Sequence, residues 1–439
     1  MPAIASARIT SHQIKTILLI IAAGCVNILD RSTLAIANPL IRQDLGLSIA
    51  EMGLLLSAFL WAYAWCQLPL GFVIDKAGPR RALGWGLVVW SVMQGCAGLV
   101  ANFWQFIVMR VLLGVGEAPM FPAAVSLIRG WWPARLRGLP TGMMNIPTGL
   151  GMALAPPLLT WLMLSASWRW MFLIMGVLGL VVSGLWFAMI REARAMPLDS
   201  AERAYLTEGE LDVAPTPITG REWRRLFQFR IVWGMIIGCF CASYVLYLYS
   251  AWLPGYLEIQ RHLDIRTTGF VASIPFVFAI AGAVLGGWSA DLLMAAGFSP
   301  MASRKIPIII GLLGLGGFTF LAAYTPSVSI AVASISAAVF FTGGLGPLGF
   351  ALASVAVPAN CTGSLGAIQN FGNYIGAAMA PMITGFIVQG TGGDFTMALV
   401  LAGVLALVGC GSYLFIVPSR PVLEAELLGE PLTMPRPAH

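Results

Sequence analysis

Charge is scarce in this chain. Only 10% of its 439 residues are Asp, Glu, Lys or Arg, whereas a soluble chain carries about 25%. No soluble domain covers its surface with so little polar material. Histidine is nearly absent: His12, His262 and His439 are expected in loops or tails, which excludes a histidine proton relay. The seven cysteines (25, 66, 96, 239, 241, 361 and 410) sit in apolar segments without a zinc-like partner set. They read as small apolar filler. No nucleophile, metal or cofactor cluster stands out, so no metal or cofactor is expected and a membrane enzyme is disfavoured. The linker and the tail 418–439 are too short for a signalling domain, which argues against a sensor.

Hydrophobic residues are plentiful, at 58%. Twelve apolar segments are each long enough to cross the roughly 30 Å hydrocarbon core as a helix. They lie at about 15–40, 52–73, 81–100, 103–128, 138–163, 169–190, 230–256, 268–291, 306–324, 328–353, 361–388 and 395–417. The first has no small-residue cleavage site after it and reads as a retained span. The expected fold is therefore all-α and integral to a membrane. Lysine and arginine near helix ends set orientation. With the N-terminus inside, 19 of the 25 basic residues fall on the inner side and four on the outer side, and Arg31 and Arg110 lie within spans. Both termini are expected in the cytoplasm, with the chain in the cell's inner (plasma) membrane. The net charge of +6 then faces membrane lipid and not nucleic acid.

The longest polar segment follows the sixth span. It divides the chain into a six-helix half (1–190), a cytoplasmic linker (191–229) with an amphipathic piece near 199–210, a second six-helix half (230–417) and a cytoplasmic tail (418–439). An internal echo supports two pseudo-symmetric halves. "GFVIDKAGPRR" (71–81) follows the second span and "GWSADLLMAAGFSPMASRK" (287–305) the eighth, each with Gly-x-x-x-Asp and paired basic residues. Parallel repeats with a site between them are a transporter plan. "GFVIDKAGPRR" resembles the loop signature of the major facilitator superfamily. The resemblance implies a conformational latch, built from Gly71, Asp75, Arg80 and Arg81 and echoed by Asp291.

Among 19 acids, only Asp30 and Glu117 sit well within spans, and the mid-span bases are Arg31 and Arg110. All four belong to the first and fourth spans. Intramembrane charges are costly and mark pathways more often than scaffolding. Arg110 and Glu117 are seven residues apart on one helix face, with Gly114 between them leaving room for another helix or a ligand. Asp30 and Arg31 point about 100° apart. Asp30 is expected to pair with Arg110, leaving Arg31 to face a cavity. Arginine is a planar carboxylate receptor, and buried acids can bind and release protons near neutral pH. Together they are the kit of a proton-coupled importer of organic anions. The bland alternative is an ion-pair network that only stitches two helices.

"GVGEAPMFPAAVSLIRGWWPARLRG" (114–138) and "NILDRSTLAIA" (27–37) resemble the anion:cation symporter family of that superfamily. So do "SWRWMFLIMG", "YVLYLYSAWLPGYL" and "NFGNYIGAAMAP". The resemblance implies alternating access and proton symport of a sugar acid. Asp30 and Glu117 would couple protons and Arg31 would bind the carboxylate. Arg110 would be the charge partner, and Tyr63, Asn370 and Asn373 would face substrate. One departure is "MNIPTGLG" (144–151), with Pro147 where the family usually has glycine. Asn145 and Thr148 survive there as hydroxyl partners, which leaves an aromatic or short-chain acid open. An exchanger or uniporter without proton coupling is the other alternative. Tyr244 and Tyr247, at i and i+3, share a face and suit substrate hydroxyls or a carboxylate; packing or an interfacial belt is the competing reading. Gly372 and Gly376 suggest close helix packing. A monomer is expected.

Overall fold

The computed structural model describes residues 6–208, 220–358 and 361–422. Among them there is no strand. The helices are α1 (Ala7–Ile36), α2 (Asn38–Leu45), α3 (Ile49–Ala77), α4 (Pro79–Ala97), α5 (Phe103–Glu117), α6 (Met120–Trp131), α7 (Gly138–Ser165), α8 (Trp168–Met189), α9 (Ser200–Thr207), α10 (Gly220–Leu226), α11 (Arg230–Ile259), α12 (Ile265–Val271), α13 (Ile274–Ala295), α14 (Pro300–Tyr324), α15 (Val328–Ala356), α16 (Thr362–Gly390) and α17 (Thr396–Gly411). Eleven helical stretches among the described residues are long and apolar enough to cross a membrane. α4, at 19 residues, occupies the remaining segment expected to span.

Local chemistry sets the boundaries. Ser48 caps α3 and Asp199 caps α9, each in a reciprocal capping box with Glu51 and Glu202 respectively. Gly46 (φ 63°) ends α2 and Gly78 (φ 83°) separates α3 from α4, in backbone regions that suit glycine. The amphipathic piece expected near 199–210 is α9. Its Tyr205 and Leu206 pack with Ile9, and Ser6 donates to Glu202 (2.7 Å).

Three expectations need correction. The fourth span is not one α-helix: it breaks at Ala118–Pro119, between α5 and α6. The eighth breaks likewise at Ala272–Ser273. Pro119 and Pro122 in one case and Pro275 in the other withhold amide donors there. Third, α1 starts earlier than its apolar run, so His12 is helical and stacks on Trp131 (4.8 Å).

The chain packs as two units. One comprises the described residues within 1–212, 248–277 and 378–395; the other those within 213–247, 278–377 and 396–439. The boundaries fall inside α11, α13 and α16. In the first unit, α4 packs on α8 and α5, α1 on α7, and α3 on α5. The later ends of α11 and α16 close onto the start of α3. The Trp252 indole donates to the Pro381 carbonyl (2.9 Å), and the Ala50 amide to the Gln389 side-chain oxygen (2.8 Å). A Cβ on Gly53 would lie 2.7 Å from the Pro381 oxygen and 3.1 Å from Gly385 Cα, so only glycine fits this seam. In the second unit, α14 packs on α15 and α17. Gly372 and Gly376 lie against Ile236 and Phe240 of α11, which is the close packing expected of them.

Candidate functional site

The mid-span charges converge in the first unit. α1 supplies Asn27, Asp30 and Arg31; α3 supplies Phe59 and Tyr63; α5 supplies Arg110 and Glu117. The approach of α3 to α5 depends on Gly114, where a Cβ would run into the Phe59 carbonyl and sit 3.1 Å from the Ala62 side chain. That is the room its position suggested. Asp30 and Glu117 are fully buried, Arg110 is 2% exposed, and the Arg31 side chain is 16% exposed.

The pairing differs from expectation. Arg31 Nε donates to Glu117 Oε2 at 2.8 Å. Asp30 and Arg110 form no ion pair: neither Asp30 oxygen has a hydrogen-bond partner among the described residues, nor do Arg110 Nε and Nη1. They remain electrostatic neighbours of each other and of Glu117. Glu117 is the last residue of α5, before the break at Pro119, and there it meets the guanidinium from α1. Helix spacing gives the angle between Asp30 and Arg31 but not the rotation of α1 against α5, which selects the partner.

Aromatic rings complete the cluster. The Arg31 guanidinium carbon lies 4.7 Å from the Tyr63 ring centroid and 5.0 Å from that of Phe59. Arg110 lies 5.2 Å from the same Phe59 ring. Both cations therefore share Phe59, a residue the sequence reading missed. Its position four residues before Tyr63, on one helix face, was the available signal. Asn27, which adjoins the Glu117 carboxylate, was also missed, although it precedes Asp30 by three residues. Gln94 of α4 donates to the Thr33 hydroxyl (3.0 Å), which donates to the Asp30 carbonyl (2.7 Å).

The other candidate residues are placed as follows. Asn145 is exposed on α7, and its amide donates to the Thr141 carbonyl of the same helix (2.8 Å). Thr148 is half-buried. Pro147 packs against α1, where a Cβ on Gly24 would lie 2.9 Å from its ring. Tyr244, Tyr247, Asn370 and Asn373 belong to the second unit. Tyr244 is buried, and Tyr247 and Asn370 are half-buried. Asn373, also half-buried, accepts a hydrogen bond from Ser243. Of the latch, Gly71 and Asp75 lie in α3 with their side chains outside the described residues. Arg80 is engaged at the end of α8: it donates to the Phe187 carbonyl (2.7 Å), and its amide donates to Glu192 (3.1 Å). Arg81 and Asp291 are exposed.

A buried arginine–carboxylate cluster inside a bundle of spanning helices is fitted to anions and protons. The sequence model of the Major Facilitator Superfamily matches residues 20–381. The chain belongs to the major facilitator superfamily. It is a multi-pass membrane transporter and not an enzyme. Over 412 residues it is 41% identical to a probable L-galactonate transporter of Escherichia coli (strain K12), covering 94% of this chain and 91% of that protein. It is 32% identical over 412 residues to a D-galactonate transporter of Escherichia coli O6:H1, covering 92% and 95%. A bacterial homologue of the human lysosomal transporter Spinster superposes with a TM-score of 0.76 at 19% identity, over 93% of this chain and 97% of that one. This last likeness speaks to the fold alone.

Proposed function

We propose that this transporter imports a sugar acid (hexonate, hexuronate or aldarate) with protons, by alternating access, across the cell's inner membrane with both termini in the cytoplasm. The galactonate transporters among its relatives support the substrate class. The distribution of basic residues supports the orientation. The observation that carries the coupling is the buried Arg31–Glu117 pair beside Asp30. While Glu117 is ionised it occupies the guanidinium that a substrate carboxylate needs. A proton on Glu117 neutralises it and releases Arg31 for the incoming anion. Proton and anion therefore bind cooperatively. Asp30, buried without a hydrogen-bond partner among the described residues, is the second proton site, and Arg110 balances whichever acid is ionised. An anion entering against an inside-negative potential is opposed by about 2.3 kcal/mol per 100 mV, and accompanying protons cancel or reverse that cost.

Tyr63, Asn145, Thr148, Tyr244, Tyr247, Asn370 and Asn373 are assigned to substrate hydroxyls. The seam of Trp252, Pro381, Gly53 and Gly385 is assigned to the outer gate, which must part for substrate to enter. Gly71, Asp75, Arg80, Arg81 and Asp291 are assigned to the inner latch. One observation favours a less hydroxylated aromatic or short-chain acid: Asn145 spends its amide on its own helix, and Pro147 packs on Gly24.

The test is uptake into proteoliposomes of labelled sugar acids and aromatic acids, with and without an inward proton gradient, for wild type and Glu117→Gln. The expected result is gradient-dependent accumulation of a sugar acid by wild type, with exchange but no accumulation by Glu117→Gln. Accumulation that ignores the gradient, or a Glu117→Gln protein that still concentrates normally, would remove proton symport.

A further inference from the structure

Three buried polar side chains gather along the seam that α3 makes with the later ends of α11 and α16. All three belong to the first unit. Asn38 opens α2, Ser57 lies in α3 and Thr384 in α16. Their exposures are 0%, 1% and 0%. Asn38 Nδ2 and Oδ1, Ser57 Oγ and Thr384 Oγ1 have no hydrogen-bond partner among the described residues. Every residue of α2, α11 and α16, and of α3 as far as Gln67, is described with its side chain. Buried hydroxyls elsewhere in this chain satisfy themselves on their own helix: Ser336 donates to the Val332 carbonyl (2.7 Å) and Thr342 to that of Ala338 (3.0 Å). Ser57 and Thr384 forgo that bond. Buried polar groups are normally paired, and leaving one unpaired is costly.

Trp252 of α11 links the three. A Cβ on Gly255 would lie 3.4 Å from Asn38 Nδ2 and 3.2 Å from Trp252 Cε3. A Cβ on Gly385, next to Thr384, would lie 3.3 Å from Cζ2 of the same indole and 3.1 Å from Gly53 Cα. Ser57 follows Gly53 by four residues, one turn further along the same face of α3. The indole nitrogen is committed to the Pro381 carbonyl (2.9 Å) and serves none of the three. Tyr63 comes six residues after Ser57, roughly 9 Å deeper along α3 at 1.5 Å per residue. In the orientation proposed above, the three groups therefore stand on the outer side of the Arg31–Tyr63 cluster.

We propose that Asn38, Ser57 and Thr384 form an outer subsite that takes the hydroxyl groups of a polyhydroxy acid as the seam parts. The subsite rests on the sugar-acid reading above and adds a source of specificity to it. Amide and hydroxyl groups are neutral and both donate and accept, as substrate hydroxyls do. A carboxylate only accepts, and it would leave Asn38 Oδ1 unserved. Opening of the seam admits water to the three groups, and an occupant then displaces that water. A hydroxylated acid replaces the lost bonds. An aromatic or aliphatic acid strands the groups again, so the site rejects it. Selection for hydroxyl groups then precedes the arrival of the carboxylate at Arg31.

Counterflow exchange in proteoliposomes tests this, for wild type, Asn38→Leu, Ser57→Ala and Thr384→Val. Labelled galactonate, glucarate and galacturonate are offered to wild type, and the acid exchanged fastest is the probe. Exchange needs no proton gradient, so the outcome does not depend on the coupling scheme. Each variant is expected to raise KM for the probe about fivefold, the contribution of one neutral hydrogen bond, with little change in maximal rate. Thr384→Ser should restore the wild-type KM. Hexanoate, which carries a carboxylate and no hydroxyl group, should inhibit weakly and equally in wild type and variants. Melting of the substrate-free proteins is the second readout. Ser57→Ala and Thr384→Val should melt at or above wild type, because each removes an unpaired buried oxygen. An unchanged KM would overturn the proposal, and lower melting beside it would make the groups structural. So would a KM rise matched by an equal loss of hexanoate inhibition, which would show that hydroxyl groups are not what is read. Wild type that exchanges none of the three acids would instead remove the sugar-acid reading, and this subsite with it.

Discussion

In the first unit, Asp30, Arg110 and Glu117 are shut away from solvent within one cluster. The second unit also buries polar groups, but among its described residues they are hydroxyls and an amide, Ser243, Thr319, Ser334, Gln369 and Ser412 among them. Contacts made by these buried groups are correspondingly neutral. Ser243 donates to Asn373 and Gln369 donates to the Cys239 sulfur (2.9 Å). The contrast separates two chemical tasks. A carboxylate–guanidinium cluster changes its charge when a proton arrives, so it can exchange a salt bridge for a ligand. A set of hydroxyls and amides keeps the same charge at every physiological pH and can only recognise shape and hydrogen bonding. On the proposed reading, proton linkage resides in the first unit, and the second contributes recognition without responding to the gradient.

The largest effect should come from breaking the ionic side of this contrast. Arg31→Ala leaves Glu117 buried without its ion-pair partner, at a cost of up to about 3–5 kcal/mol. The purified protein should melt well below wild type and uptake should be lost. In a Glu117→Gln background the same substitution should cost far less, because the charge it would strand is already gone. An equal loss in both backgrounds would mean that Arg31 stabilises the fold through its rings, Phe59 and Tyr63, and not through Glu117.

The seam made by the late-chain segments of the first unit comes next. Gly53→Val places a methyl-bearing carbon against Pro381 and Gly385, and overpacking of this kind costs roughly 1–3 kcal/mol. Thr384 is fully buried beside it. In a cysteine-free background, Thr384→Cys should label slowly with an impermeant thiol reagent, and Gly53→Val should speed that labelling several-fold. Unchanged labelling would mean that the seam is not the barrier between Thr384 and the outside.

Much of this contrast was legible in the sequence. Twelve apolar runs and a half-chain repeat lead to the fold, and four charges confined to two spans lead to the cluster. Gly114 marked a place for another helix or a ligand, and α3 takes it. What stayed hidden depends on rotations that no spacing records. Whether Arg31 faces a cavity or meets Glu117 turns on how α1 rolls against α5 and on where the helix breaks at Pro119. Phe59 looked like any apolar residue, because its value lies in facing two cations at once. The polarity of Asn145 is visible in the sequence, while its bond to Thr141 is not.

On the neutral side the effects should be smaller. Ser243→Ala removes one uncharged hydrogen bond, worth about 0.5–1.5 kcal/mol. It should leave gradient-driven accumulation intact while raising KM for the substrate, since Asn373 loses the hydroxyl that orients its amide. Measured uptake that becomes independent of the proton gradient in Ser243→Ala would erase the division between the units.

The smallest effect belongs to an acid outside both interiors. Asp264 caps α12, accepting from the Thr267 hydroxyl (2.6 Å) and amide (3.0 Å). These bonds hold its carboxyl below the usual carboxylate range, which is about 3.9. A carboxyl depressed in the folded state contributes stability that is present above its unfolded pKa and is lost as pH falls through the folded value. Asp264→Ala should therefore lower the melting midpoint slightly at neutral pH, and the gap from wild type should close only in strong acid. Its transport should keep the wild-type pH profile between pH 5 and 8, whereas Glu117→Gln should flatten that profile. A flattened profile in Asp264→Ala would show that an exposed cap, and not the buried cluster, sets the proton dependence.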